Sequence, residues 1–296
     1  MSAALSEAKV NGGFESAGGA CAALCLPRST WYRLRDDAWL PDPDIELRDQ
    51  IQKIATTRSV YGYRRIVEEL KRDGVVANHK RVLRIMREDN LLCLKRRRFT
   101  TTTDSAHGLL VYPNLVREMK VDGIDQLWVS DITYIRLQGE FIYLAVILDA
   151  CSRRVIGWQL SRRIDGALTM DALKMALSTR KVTPGLVHHS DRGVQYAATE
   201  YTDLLKTAGI TISMSRRGNP YDNAQAESFM KTLKYEEVYL SEYANLTEAR
   251  SRIGHFLNQV YNRERLHSRI GYVPPEEFEA GLSRQTNPSF VNCLSH

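Results

Sequence analysis

No stretch of this 296-residue sequence approaches the roughly 20 consecutive apolar residues that a membrane helix needs, so a membrane span is not expected. The N-terminus has no charged segment followed by an apolar core, which argues against a secretory leader. Cysteine is scarce: five residues, an odd number at spacings unlike a disulfide framework, which fits a reducing, cytoplasmic setting. Cys21 and Cys25 have no second Cys or His pair nearby, so they read as small core residues rather than zinc ligands. No internal repeat is visible, which argues against a solenoid.

What is present is an ordinary soluble composition, 43% hydrophobic and 26% charged, in a chain long enough for about two domains. The net charge is +6. Its distribution is more telling: residues 45–99 hold 15 Lys or Arg against 7 Asp or Glu, and the remainder holds 26 against 28. All the positive excess therefore lies in one segment, the electrostatic footprint of a nucleic-acid-binding module. A solvated helical surface would mix both signs more evenly.

Residues 1–21, rich in Ala, Gly and Ser, are expected to be disordered, and 22–40 to form a short helical segment around Trp31 and Tyr32. Pro41-Asp42-Pro43-Asp44 marks a boundary. Ile45, Leu47, Ile51 and Ile54 recur at near-helical spacing and predict a first helix to about Thr57. Tyr61-Gly62-Tyr63 is a turn before a second helix, 64–72, with Gly74 as its C′ residue. Asn78 is the expected N-cap of a third helix, 79–89, whose Val82, Ile85 and Met86 face a core while Lys80, Arg84 and Arg87 line another face. A three-helix unit whose last helix presents a basic stripe suits the DNA major groove, and Lys95, Arg96, Arg97 and Arg98 beyond it suit phosphates. The competing reading is a helical bundle whose outer face happens to be basic. This predicts a helix-turn-helix domain over 41–99, followed by a linker over 100–121.

From Gln126 the hydrophobic period changes. Residues 127–136 and 140–149 read as a hairpin around Gln138-Gly139, 154–160 as a third strand, 186–189 as a fourth and 211–214 as a fifth. Helices are expected at 164–179, 200–208, 222–235 and 246–261. This is a mixed α/β layer fold: a five-stranded sheet flanked by helices, spanning 122–280, with 281–296 as a tail.

Three carboxylates stand out. Asp131 lies inside an apolar β-rich run, where an ionised acid is costly unless paired or metal-bound. Asp191 ends a strand, where α/β folds place ligands. Glu227 follows after 35 intervening residues, in the first turn of a helix. Asn223, Glu227, Lys231 and Lys234 share a broad face of that helix, and Lys234 is placed to meet a phosphate. Each acid has a bland reading: a turn or cap residue for an Asp after a strand, a dipole partner for a Glu in a first turn. Together, beside a basic module, they point to hard divalent cations, Mg²⁺ or Mn²⁺, and phosphoryl transfer by two ions, with Asp131 as the bridging ligand. His188 and His189 read as structural. Asp222 is either the helix N-cap or a rival ligand.

At these residues the chain resembles a DDE transposase with a retroviral-integrase-type core, and more narrowly the second-frame (OrfB) protein of the insertion-sequence-three family. The matching stretches are WVSDITY (128–134), HSDRGVQY (189–196), GNPYDNAQAESF (218–229), YNRERLH (261–267) and GYVPP (271–275). Tyr61-Gly62-Tyr63-Arg64-Arg65 and the basic helix after it, with Arg81 among its cations, resemble that family's upstream helix-turn-helix. The resemblance implies an RNase H-like core in a bacterial, nucleoid-associated enzyme. It implies two Mg²⁺ ions held by Asp131, Asp191 and Glu227, and cutting and joining of DNA at element ends. It also implies a homo-oligomer on element-end and target DNA, with the first-frame protein OrfA as partner or fusion. One departure is notable: no leucine-zipper segment precedes residue 22, so this chain is expected to be the catalytic half alone. An RNase H-like nuclease without strand transfer and an inactive DNA-binding regulator remain as alternatives.

Overall fold

The computed structural model describes residues 17–23, 25, 27–31, 43–92, 109–216 and 220–286. The chain divides into two units, Met1–Cys93 and Leu94–His296.

In the N-terminal unit the described residues form α1 (Ala17–Ala23), a helical turn at 28–31, α2 (Ile45–Thr57), α3 (Tyr63–Arg72) and α4 (His79–Glu88). The disorder expected at the N-terminus lies outside the described residues as far as 16, and α1 begins at 17. Cys21 is buried as expected, whereas Cys25 is exposed. Leu47, Ile51, Ile66, Leu70, Val82, Ile85 and Met86 make one core. Ile45 does not join it and is 62% exposed, because it stands at the first position of α2 and off the Leu47–Ile51–Ala55 stripe. Gly74 takes φ +81° and closes α3: its N–H donates to Lys71 O, and Val75 N–H donates to Leu70 O. Asn78 caps α4 by accepting from Lys80 N–H at 2.9 Å.

The C-terminal unit is built on β1 (Leu127–Arg136), β2 (Phe141–Asp149), β3 (Val155–Ser161), α5 (Gly166–Thr179), β4 (Val187–Ser190), α6 (Val194–Ala197), α7 (Thr199–Thr207), β5 (Thr211–Met214), α8 (Ala224–Glu236), α9 (Leu246–His255) and α10 (Pro275–Thr286). The sheet order is β3-β2-β1-β4-β5, with β1–β2–β3 antiparallel and β4 and β5 parallel to β1. This is the mixed five-stranded sheet read from the sequence. Alternation splits the apolar residues between two layers. Leu127, Val129, Leu144 and Val146 pack with Phe229, Met230 and Leu233 of α8 and with α9. Trp128, Ala145 and Ile147 pack with α5 and α7.

Three expectations change. Part of the stretch read as a linker is applied to this unit: Leu115 N–H donates to Ser213 Oγ at 2.9 Å, and Val116, Met119 and Val121 pack against the core. The helix expected to run to Tyr261 widens into a π-helix at Phe256–Glu264, which carries Asn262 inward to bond both the N–H and the C=O of Val155, each at 2.9 Å. The tail expected from 281 is, up to Thr286, the end of α10, which starts at Pro275 with Glu276 and Glu277 in its first turn. Residues 287–296 lie outside the described residues.

Candidate active site beside β1 and β4

Sheet register brings the two aspartates level. Val129 of β1 pairs with His189 of β4 in a parallel ladder. Asp131 and Asp191 each lie two residues past that pair, so they emerge on the same face. Each carboxylate is aimed by a backbone donor. Ile132 N–H donates to Asp131 Oδ1 at 2.8 Å, and Gly193 N–H donates to Asp191 Oδ1 at 2.9 Å. A Cβ on Gly193 would lie 3.0 Å from that same Asp191 oxygen, so the glycine makes room for the acid.

Glu227 stands in the first turn of α8. The helix is tied to β1 at that end: Asn223 Nδ2 donates to Ser130 O at 3.0 Å, immediately beside Asp131. Since a carbonyl only accepts, this bond fixes the amide's orientation, and Asn223 Oδ1 is left buried without a partner. Glu227 leans along its own helix to Lys231, 3.9 Å away. Lys234 holds its ammonium 4.5 Å over the Tyr134 ring.

The electrostatics single out Asp131. Its carboxyl is pushed up to about 7, first by burial and then by the negative charge of Asp191, with Glu227 adding to it. The Ile132 N–H and the charge of Lys234 act the other way and do not compensate. Burial, mutual repulsion and an all-oxygen donor set fit a hard divalent cation in kind. In the present arrangement, no three His, Cys, Asp or Glu side chains among the described residues converge closely enough to hold an ion.

The neighbouring candidates separate cleanly. Burial holds the His188 ring down to about 3 and His189 to about 4, so both are neutral. His188 Nε2 meets Tyr201 Oη at 3.0 Å, and the two nitrogens of His189 meet Ser213 and Ser215 hydroxyls. They are structural. Asp222 is not the helix cap: that place falls to Asn223. Asp222 accepts from the backbone N–H of Arg216 at 2.9 Å and from its guanidinium at 3.2 and 3.3 Å, and Arg216 holds its carboxyl below the usual range. An acid so engaged does not compete with Glu227.

Among the proposed DNA contacts, Lys80 and Arg87 are exposed on α4, and Arg64 is exposed on α3 with its guanidinium 5.5 Å from the Tyr63 ring. Arg65 lies over Tyr61 at 5.3 Å. Arg81 and Arg84 are not simple outward cations: both pair with Asp44 at the start of α2, and Arg84 also pairs with Glu88. The stripe expected from Lys80, Arg84 and Arg87 is therefore interrupted at its centre. Lys95, Arg96, Arg97 and Arg98 lie outside the described residues. The sequence reading missed the Asn223–Ser130 bond, although Asn223 four residues before Glu227 was its signal.

A mixed five-stranded sheet of this order, flanked by helices, is the layout of an integrase-type core. Residues 123–220 match the family model described as an integrase core domain, residues 208–275 match a second model of the same description, and residues 42–99 match an HTH-like domain. The chain belongs to the transposase family of insertion sequence IS3. It is 37% identical over 265 residues to the transposase InsF for insertion sequence IS3A of Escherichia coli (strain K12), covering 88% of this chain and 92% of that protein. It is also 37% identical over 263 residues to the uncharacterized 31 kDa protein of insertion element IS600 from Shigella sonnei, covering 87% of this chain and 96% of the relative. Among solved structures, the catalytic core domain of BIV integrase is similar at 21% identity and a TM-score of 0.42, covering 55% of this chain and 98% of that one.

Proposed function

We propose that this transposase cuts DNA at the ends of its insertion element and joins the 3′-hydroxyl ends to target DNA, in a reaction that depends on Mg²⁺ or Mn²⁺. The observation that carries the reading is Asp131: a largely buried carboxyl crowded by Asp191 and Glu227, with no arginine partner among the described residues. Asp131, Asp191 and Glu227 are the residues that would hold two ions, Glu227 after rotating away from Lys231. Bound there, the ions supply an activated oxygen nucleophile and stabilise the leaving oxygen.

The chain's own groups do the rest. Ile132 N–H and Gly193 N–H each fix one carboxylate oxygen, so the two aspartates arrive pre-aimed. With no cation present, the Asp131 carboxyl is shared between its protonated and ionised forms near neutrality. Lys234 and Lys231, on the same face of α8 as Glu227, are positioned for the phosphates flanking the scissile bond. Lys80, Arg87, Arg64 and the basic run 95–98 serve to hold the element end, with Arg65, Arg81 and Arg84 beside them. InsF of IS3A is named a transposase, which agrees with strand transfer rather than hydrolysis alone.

The test uses purified protein with labelled element ends and Mg²⁺. Cleavage and joining are expected from the wild type, with neither from Asp191→Asn, while DNA binding is retained. Hydrolysis without joined product from pre-cut ends would instead make the chain a nuclease.

A further inference from the structure

The Tyr261–His267 stretch lies beyond the acids, yet it grips the helix that carries one of them. Arg265 is 4% exposed. Its guanidinium makes a two-pronged pair with Glu236 near the C-terminal end of α8, Nε to Oε2 at 2.8 Å and Nη2 to Oε1 at 2.7 Å. It also reaches Thr232 Oγ1 at 3.5 Å. The fork is itself held. It lies over the Tyr261 ring at 5.7 Å, and Nη1 meets His267 Nδ1 at 3.2 Å. Tyr261 packs edge-on against Phe229 of α8 at 4.9 Å and against His267 at 4.7 Å. The next residue, Asn262, is clamped to both backbone groups of Val155 on edge strand β3. One short segment thus ties α8 to the sheet.

Helix geometry says what the tie controls. At about 100° per residue, Glu227, Lys231 and Lys234 fall within about 60° of one another on α8. Phe229, Thr232 and Glu236 fall on the opposite side. The brace grips the back of the helix, and the back fixes the roll of the front. A roll of about 10° moves a carboxylate about 6 Å from the axis by about 1 Å, and a misplacement of that size costs catalysis on the order of a hundredfold.

We infer that Arg265, through its fork with Glu236, is a positioning residue that sets the roll of α8 and so the placement of Glu227 and Lys234 against Asp131. This rests on the proposed metal-dependent reading of the site.

The experiment separates positioning from folding. Removing one partner strands a buried charge, whereas replacing both with apolar residues of similar volume is often neutral for stability. Arg265→Met with Glu236→Met is therefore compared with Arg265→Lys and the wild type in the full chain. Four quantities are measured: the unfolding midpoint without metal, Mn²⁺ affinity by calorimetry, and kcat and KM for joining pre-cut ends. The double variant is expected to keep the wild-type midpoint within a few degrees, bind Mn²⁺ about tenfold more weakly, and lose about a hundredfold in kcat with KM for DNA unchanged. Arg265→Lys is expected to recover part of both losses. A double variant with the wild-type midpoint, Mn²⁺ affinity and kcat overturns the inference, since the pair then only holds the fold together. If the double variant does not fold, Glu236→Gln and Arg265→Lys are measured well below their own midpoints. Mn²⁺ affinity equal to wild type in both overturns the inference, and weakened affinity supports it. A wild type that binds Mn²⁺ but does not join ends defeats the proposed reaction alone, because the Mn²⁺ readout still decides the brace. A wild type that binds no Mn²⁺ defeats both.

Discussion

At the start of β1, Asp149, Asp125 and Glu279 form a buried acidic cluster, and about 10 Å further along the same strand Asp131 faces Asp191 and Glu227. The two clusters hold the same kind of side chain in different company. Asp149 accepts from the backbone N–H groups of Ser152 and Asp125, both at 2.7 Å, with the Ser152 hydroxyl oxygen 3.0 Å away. Glu279 accepts from Ser152 Oγ at 2.6 Å, Arg154 Nη1 at 2.7 Å and Arg180 Nη2 at 2.5 Å. Burial raises both Asp149 and Asp131, but at Asp149 the leading opposing influences are hydrogen bonds, whereas at Asp131 the neighbours are two more carboxylates. The first cluster has its donors built in and joins α10 to the sheet. At the second, Ile132 N–H donates to Asp131, Gly193 N–H donates to Asp191, and Lys234 lies nearby. Buried acids that repel one another are a local destabilisation of the kind active sites retain.

Substitution separates the two roles. Asp131→Asn, Asp191→Asn and Glu227→Gln are each expected to lower strand joining by on the order of a thousandfold or more while leaving the folded state and DNA affinity intact. Initial rates with pre-cut ends check this, and residual joining within tenfold of wild type from any of the three would remove that acid from the site. Glu279→Ala is expected to do the reverse. It removes the shorter of two acid contacts from Arg180, which is 11% exposed and keeps Asp125 at 3.5 Å, and one from Arg154, which keeps Glu276. This costs up to about 3 kcal/mol, so the unfolding midpoint should fall by several degrees. Joining per folded molecule should stay near wild type. A lost rate with an unchanged midpoint would break the contrast.

How far the sequence carried this distinction depends on the range over which each signal acts. The five strands and the position of Asp131 were legible because alternation is local, and an isolated acid in a Val/Ile-rich run has few explanations. The partners were not. Whether an acid is paired depends on residues brought from far along the chain: Glu279 meets Arg154 across 125 positions and Arg180 across 99. The same holds for Arg84, whose place in the basic stripe was visible but whose partner Asp44 stands 40 positions earlier. Asp222 stayed ambiguous until its bonds to Arg216 were seen. The π-helix also escaped notice, since its apolar residues continue the helical pattern and only the inward turn of Asn262 distinguishes it.

A smaller effect sharpens the comparison. If Asp131 is destabilised by burial and by its neighbours, Asp131→Asn should stabilise the metal-free protein. The amide keeps the shape and removes the charge that Asp191 and Glu227 oppose. At neutral pH the unfolding midpoint is expected to rise by a few degrees, in contrast to the fall expected for Glu279→Ala. A thermal melt in chelator decides it. A lower midpoint for the asparagine variant would mean that Asp131 is held by stabilising bonds, like Asp149, and does not wait for a cation.

The mildest test lies in the other unit, where Asp44 is a paired acid at the surface. Its side chain is only 5% exposed because Arg81 and Arg84 cover it. The hydrogen bonds from Arg84 and then Arg81 hold its carboxyl below the usual value of 3.8. A carboxyl whose pKa is lower folded than unfolded adds stability above the unfolded value, and that stability is lost as the pH falls through the folded one. Asp44→Asn should therefore melt slightly below wild type at pH 7, and the difference should close as the pH is lowered past about 4. Circular dichroism melts across that range would show it. A difference that persists unchanged in acid would mean that Asp44 contributes through packing at the start of α2. Arg81 and Arg84 would then be released from their structural duty and belong with Lys80 and Arg87 on a single DNA-facing stripe.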